Sequence, residues 1–339
     1  MTAAVWMLNW MSAPVSDDNA PVLVTVAEGS TGIQISELLK KENLIRSRWG
    51  FRITVGLRRD SQQLKPGVYE LRRNMSLVQI IEKLVRGDVA GARITIPEGY
   101  TVGQIAQALA ENGIVDKKQF LKSALTGGRR FRDVVPIRSG SLEGYLFPDT
   151  YLFTRGSEPD AVIRQMLGVF RKRVWEPRLE LRMGSSHLPG LSNAASVDWA
   201  ARENLHSVLT VASLIEREAK VDRDRAFVSS VIYNRLGRGM PLQIDATVQY
   251  ARGEHTGRLF YRDYLTPSDY NTYLHRGLPP GPIANPGLKS IKAALNPAKS
   301  DYLYYVADGN GAHVFSRTGE EHQRAVAAAR RARESSQPQ

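Results

Sequence analysis

The sequence predicts an α+β protein of more than one domain, and three observations carry that prediction. A small β-turn-α unit occurs twice in the first third of the chain, strong helical periodicity starts after Ser207, and short aromatic strand signals follow near the C-terminal end. With 339 residues the chain can bury two cores, or three. The expected plan is α+β: small βα modules, then a mixed α/β domain with a glutamate on one of its helices. Its segments are a short apolar N-terminus (1–20), a first βα module (21–95), a second βα repeat with a connecting region (96–195), the helix-rich domain (196–328) and a basic tail (329–339).

Met1 to Met11 (MTAAVWMLNWM) is mostly apolar but far shorter than the roughly 20 residues a membrane-crossing helix needs. The first basic residue is Lys40, so the basic start of a secretory signal is missing. The stretch reads either as a frayed end or as the tail of an anchor that begins upstream.

The repeat compares Val26–Ile45 (VAEGSTGIQISELLKKENLI) with Ile96–Val115 (IPEGYTVGQIAQALAENGIV), a unit that recurs 70 residues along the chain. In each copy an apolar strand runs into Glu-Gly, a threonine (Thr31 or Thr101) offers a helix N-cap, and Ile35/Leu39 or Ile105/Leu109 supply an i, i+4 apolar face. Between the copies, Leu64–Tyr69 reads as a turn into a strand, and Ser76 caps a helix bearing Val78, Ile81 and Leu84. Such a repeat suits a duplicated packing unit as well as a binding module. Further on come a loop-rich aromatic stretch, Leu142–Tyr151, and a basic helical region from Val162 to Leu181. Ser185–Ser196 has the Ser, Gly and Pro content of a linker, and the main boundary is placed there.

Composition narrows the function classes. Hydrophobic residues make up 42% of the chain and charged residues 24%, which fits a globular protein and disfavours disordered or multi-span classes. The absence of cysteine excludes disulfides, thiolate metal sites and cysteine nucleophiles. A net charge of +12 favours polyanionic surroundings. Clusters such as Arg129-Arg130-Phe131-Arg132 carry no recognised nucleic-acid motif, so they read as solvated helix faces and nucleic acid is not a predicted partner.

The chemistry lies after Ser207. Val208, Val211, Leu214, Ile215 and Ala219 recur at helical spacing, and two glutamates share that helix. Two positions apart, Glu216 and Glu218 project about 200° from one another. Glu218 falls on the apolar stripe near the helix C-terminus, where desolvation and the helix dipole both favour its protonated form, as a general acid requires. A pairing of Glu218 with Arg217 or Arg223 is the competing reading. Glu216 lies four before Lys220 and reads as half of a surface pair.

A second helix carries Val228, Val231, Ile232 and Leu236 and closes at Gly237 and Gly239. Gln243, Asp245 and Thr247 then alternate with Leu242, Ile244 and Ala246, as in a half-exposed strand that presents polar groups to a ligand or to water. Five of the 13 tyrosines fall between Tyr250 and Tyr273, a density suited to stacking on sugars as well as to packing. Gly277–Pro282 (GLPPGP) reads as a rigid loop, and Tyr302–Gly309 as a strand with His313–Phe315 as its hairpin partner.

Several of these blocks resemble, in order, the signatures of the endolytic murein transglycosylases. They are Glu143–Tyr151 (EGYLFPDTY), Ala212–Glu218 (ASLIERE), Asn234-Arg235-Leu236 through Leu242–Thr247 (LQIDAT), Tyr270–Tyr273 through Gly277–Ile283, and Tyr302–Gly309. The resemblance implies a LysM-like module near the N-terminus, a catalytic domain after it, and a single N-terminal membrane anchor that leaves the enzyme facing the periplasm or wall. It also implies a lyase that cuts within peptidoglycan glycan strands and limits their length, and it makes the second glutamate of the Glu-x-Glu pair, Glu218, the catalytic residue.

On that expectation Glu218 protonates the oxygen between N-acetylmuramic acid (MurNAc) and N-acetylglucosamine (GlcNAc), then takes the proton of the muramyl 6-hydroxyl as it closes onto C1 to give a 1,6-anhydro sugar. Gln243, Asp245, Thr247, Asn271 and Tyr273 are the expected substrate-positioning residues. No cofactor or metal is expected, since the chain has no HExxH pattern and six histidines in all. Peptidoglycan synthases are the expected protein partners. The alternatives are a muramidase-type hydrolase, with Asp245 as second carboxylate, and a non-catalytic peptidoglycan-binding protein.

Overall fold

The structure is a computed structural model that describes residues 3–58, 64–177, 202–253 and 259–335. The chain forms two compact units, Met1–Arg93 with Leu152–Arg155, and Ile94–Tyr151 with Gly156–Gln339. The Ser185–Ser196 stretch lies outside the described residues.

The first unit begins with α1 (Ala3–Ser12), a ten-residue helix. Its Met11 packs so closely on Gly50 that a Cβ there would sit 3.0 Å from the methionine Cβ. Among the described residues no helix is long and apolar enough to cross a membrane. Next come β1 (Pro21–Val26), α2 (Gly32–Lys41), α3 (Arg48–Leu57), β2 (Gly67–Arg72) and α4 (Leu77–Arg86).

β1 and β2 pair antiparallel from Pro21 opposite Arg72 to Val26 opposite Gly67. The period of two sends Val24, Val26, Tyr69 and Leu71 inward, onto Ile35 and Leu39 of α2, Phe51 of α3 and Ile80, Ile81 and Leu84 of α4. Burying each such side chain contributes roughly 1.5–3 kcal/mol. Both expected caps form here: Thr31 with Gln34 and Ser76 with Gln79 make reciprocal capping boxes.

β3 (Ala92–Thr95) pairs with β4 (Thr150–Phe153), and in the second unit Thr101 caps α5 (Val102–Glu111) through a third capping box, with Gln104. The repeat is realised in three dimensions. Gly29 and Gly99 turn with φ of 79° and 80°, and Asn43 and Gly113, also 70 apart in the chain, both take the left-handed conformation after their helices. α6 (Lys117–Thr126) and α7 (Pro159–Phe170) follow, and α7 passes into a π-turn over Arg171–Trp175. The basic helical region expected over 162–181 is thus a helix to Phe170 with a widened last turn, and its end beyond residue 177 lies outside the described residues.

The helix-rich core holds α8 (Arg202–Glu218), α9 (Asp222–Gly237), α10 (Asp245–Arg252) and α11 (Leu288–Leu295). It continues into the hairpin β5 (Tyr304–Ala307) and β6 (His313–Ser316), and then α12 (Gly319–Ser335). α8 packs against α9, α10 and α11 and is buried on several faces, with Val208, Leu209, Val211, Ala212, Leu214 and Ile215 fully enclosed.

One sequence expectation is corrected here. Leu242–Thr247 is not a strand, because α10 starts at Asp245. The alternation is real, with Leu242 and Ile244 buried and Gln243 and Asp245 exposed. A turn with Gln243 at φ 53° produces it, and the Gln243 and Ile244 N–H groups bond to Thr272. Six alternating residues suit such a turn as well as a strand.

Candidate active site

Glu218 ends α8 and lines a cleft of about 450 Å³ together with Gln243, Asp245 and Tyr273. Burial is the main force on its carboxyl and lifts its pKa to about 7, with help from the nearby Asp245 charge. The Tyr305 hydroxyl opposes this by donating to Oε2 at 3.1 Å, and the Arg217 charge opposes it more weakly. The Tyr305 hydroxyl is itself pushed well above its ordinary value, by burial first and the Glu218 charge second, so it stays a donor.

Asp245 is the first residue of α10, where a carboxylate suits the helix dipole. The Tyr273 hydroxyl donates to its Oδ1 at 2.6 Å and the Tyr264 hydroxyl to its Oδ2 at 3.5 Å. The two tyrosine rings lean together with centroids 4.6 Å apart. Arg235 of α9 staples the turn before α10 to β5: its Nε donates to the Leu303 carbonyl at 2.7 Å and its Nη1 to the Leu242 carbonyl at 2.8 Å. Nη1 also reaches Gln243 Oε1 at 3.4 Å, which fixes that side chain at the cleft edge.

Of the residues expected from sequence, the structure thus brings Glu218, Gln243, Asp245 and Tyr273 together. Thr247 and Asn271 do not line this cleft. Both are fully buried. The Thr247 hydroxyl donates to the Ile244 carbonyl at 2.6 Å and meets the Thr272 hydroxyl at 2.9 Å. Asn271 spends its amide on the Tyr264 and Thr266 carbonyls and accepts from the Tyr273 N–H at 3.0 Å. They shape the loops that present Asp245 and Tyr273.

Glu216 is a second correction. It forms no surface pair with Lys220. Its side chain is 6% exposed and pairs with Arg225 of α9, itself 10% exposed, at 3.1 Å. Its other oxygen accepts the Gly287 N–H at 2.9 Å. The i, i+4 rule weighs only partners on the same helix, and here a neighbouring helix supplies a buried cation.

Sequence reasoning gave no role to two polar groups outside the cleft lining. Glu143 is buried and accepts from the Val102 N–H, the Asn285 amide and the Tyr250 hydroxyl, while burial lifts its pKa to about 8 against the pull of those donors. His206 of α8 donates through Nε2 to the Pro280 carbonyl at 3.0 Å, which leaves Nδ1 to accept from the Tyr145 hydroxyl at 3.1 Å. The Gly277–Pro282 loop is thereby tied to the helix that carries Glu218.

Tyr305, Arg235, His313 and His322 also reach the cleft. The hairpin signal pointed to the strands but not to which face meets Glu218. Among the described residues no group of three or more His, Asp or Glu side chains is arranged to hold a metal ion.

A sequence profile of the YceG-like family matches residues 24–328. The chain belongs to the YceG-like family. Among its relatives, an endolytic murein transglycosylase of Bacillus subtilis (strain 168) is 37% identical over 322 residues, which is 91% of this chain and 85% of that protein. An endolytic murein transglycosylase of Streptococcus pneumoniae serotype 2 (strain D39) is 32% identical over 343 residues; the match covers 92% of this chain and 59% of that longer protein. A crystal structure of a YceG-like protein from Listeria monocytogenes superposes with a TM-score of 0.57 at 36% identity, covering 90% of this chain and 99% of that one. The mixed helix and small-sheet build of the YceG-like chain is consistent with that fold. All the residues lining the Glu218 cleft fall within the matched span.

Proposed function

We propose that this chain is an endolytic lytic transglycosylase that cleaves the β-1,4 bond between MurNAc and GlcNAc within peptidoglycan strands and leaves 1,6-anhydro-MurNAc ends. The observation that carries the proposal is Glu218, a carboxyl whose pKa burial lifts to about 7 at the edge of a cleft of about 450 Å³. It protonates the bridging oxygen, the C1–O4 bond breaks with its electron pair on O4, and the muramyl 6-hydroxyl closes onto C1 and gives up its proton to a base in the cleft. The attack is intramolecular, so proximity stands in for an activated water.

Asp245 is the carboxylate a hydrolase would use, and its place in the same cleft keeps that reading open. With both oxygens already accepting tyrosine hydroxyls, it is better suited to steadying the positive charge that develops at C1 than to deprotonating water. Gln243 and Tyr273 border the same space and are assigned to positioning the sugars.

The wider reading follows from the same proposal. The β1-α2-α3-β2 order of the first unit supports a LysM-like module that holds glycan. Nascent strands place the enzyme at the outer face of the plasma membrane, attached by a single N-terminal anchor, near the peptidoglycan synthases, where it limits strand length.

The test is Glu218→Gln with isolated peptidoglycan, the products read by mass spectrometry. The expected outcome is anhydromuropeptide release slowed about 10²–10⁴-fold. Release at the wild-type rate would refute Glu218 as the acid, and reducing-end products from the wild type would make the enzyme a hydrolase.

A further inference from the structure

His313 of β6 lies across from Ala307 of β5 and lines the Glu218 cleft. The buried carboxylate of Asp224, on α9, holds it twice: Oδ2 accepts the His313 backbone N–H at 2.7 Å and the ring Nδ1 at 3.0 Å. Both side chains are nearly enclosed, 7% and 6% exposed. A carboxylate only accepts, so the proton of the neutral ring sits on Nδ1 and the lone pair on Nε2. Among the described residues nothing bonds Nε2, and His313 faces the cleft. The ring stands edge-on to Tyr305, with centroids 5.3 Å apart at 86°. Glu218 and His313 thus flank one tyrosine, and the hydroxyl of that tyrosine holds the acid.

Proton accounting gives this arrangement a task. Closing O6 onto C1 releases the 6-hydroxyl proton, which Glu218 can take only after its own has gone to the leaving oxygen, whereas a second base can take it in the same step. We propose that His313, oriented by Asp224, is the base that accepts the muramyl 6-hydroxyl proton; this rests on the transglycosylase reading of the cleft. The C1–O4 bond breaks with its electron pair on O4, which takes the Glu218 proton. O6 forms the new bond to C1, and its proton passes to Nε2. The site is left with a Glu218 carboxylate and a His313 imidazolium, and proton transfer through water from the second to the first restores it, with no co-reactant. Asp224 is a positioning residue: it fixes the tautomer and stabilises the imidazolium, as a buried carboxylate does behind a catalytic histidine.

The experiment compares the full chain with Glu218→Gln, His313→Gln, His313→Asn and Asp224→Asn on two substrates. One is uncrosslinked glycan strands. The other is a muramyl oligosaccharide carrying a nitrophenyl group at the bond that breaks, a leaving group that needs no acid. Glu218→Gln should lose about 10²-fold or more on strands and recover most of it on the nitrophenyl substrate. Both His313 variants should lose about 10²-fold in kcat on both substrates alike, with KM little changed. Asp224→Asn should lose about tenfold in kcat on both.

Partial unfolding would also lower both rates alike, so each kcat is scaled to the folded fraction of the same preparation, read from its urea unfolding curve. His313 variants within threefold of wild type on strands, with Glu218→Gln inactive, would overturn the His313 assignment alone. So would a His313 loss that disappears on the nitrophenyl substrate, since the histidine would then act only through Glu218. Full activity of Glu218→Gln on strands would instead overturn the reading of the cleft.

Discussion

Removing the Tyr305 hydroxyl should move the pH range in which the enzyme works. That hydroxyl donates to Glu218 at 3.1 Å and is the leading force holding down a pKa that burial has raised to about 7. A hydrogen bond to a charged group is worth about 1.5–3 kcal/mol, and one pKa unit corresponds to about 1.4 kcal/mol, so Tyr305→Phe should raise the Glu218 pKa by about 1–2 units. The general acid works protonated, so the rate falls as pH rises through its pKa. The alkaline limb should therefore shift from about pH 7 toward about pH 8–9. Asp245→Asn should move it the other way, because the Asp245 charge helps keep Glu218 protonated. The assay is kcat/KM for anhydromuropeptide release across pH for the wild type and both variants. An alkaline limb that stays in place or falls in Tyr305→Phe would refute the argument that this hydrogen bond tunes the acid.

Two further predictions concern stability. Glu216→Gln takes the buried carboxylate from Arg225 and leaves it the more exposed Asp222 carboxylate at 3.3 Å, and unfolding in urea should show a loss of about 1.5–3 kcal/mol; a loss below about 0.5 kcal/mol would return Glu216 to the surface role read from sequence. Gly144→Ala meets two costs: a φ of 86°, and a Cβ placed 2.5 Å from Cγ of the stiff Pro282 ring. The left-handed backbone costs roughly 1–2 kcal/mol and the crowding roughly 1–3, so the urea midpoint should fall by the equivalent of about 2–5 kcal/mol.

What could be read in the sequence was whatever depends on near neighbours along the chain. Thr31, Ser76 and Thr101 cap their helices because a threonine or serine followed three residues later by a glutamine closes its own capping box. Spacing likewise put Glu218 on the apolar stripe, and its carboxyl is buried. What escaped was set by partners distant in sequence. Glu216 is decided by Arg225 on the next helix and by the Gly287 N–H, 71 residues away. Thr247 and Asn271 carry the right chemistry for sugars, yet nothing local reveals that Thr272, Tyr264 and Thr266 occupy their polar atoms. His313 looked like an ordinary strand residue because Asp224 lies 89 positions earlier.

The paired Glu-Gly turns show how one unit can serve two masters after duplication. At Gly29 the turn faces open space, and a methyl group added there would touch nothing within 4 Å. At Gly99 the same backbone, with φ within a degree, would bring an added methyl group to 3.6 Å from the Glu216 side chain, and its N–H bonds to the Asn285 carbonyl at 2.9 Å. The turn of the first copy is therefore held only by its own left-handed backbone, so a substitution at Gly29 should cost roughly 1–2 kcal/mol with no added crowding. The second has become a part of the machine, and its turn can change only in step with the helix that carries Glu218.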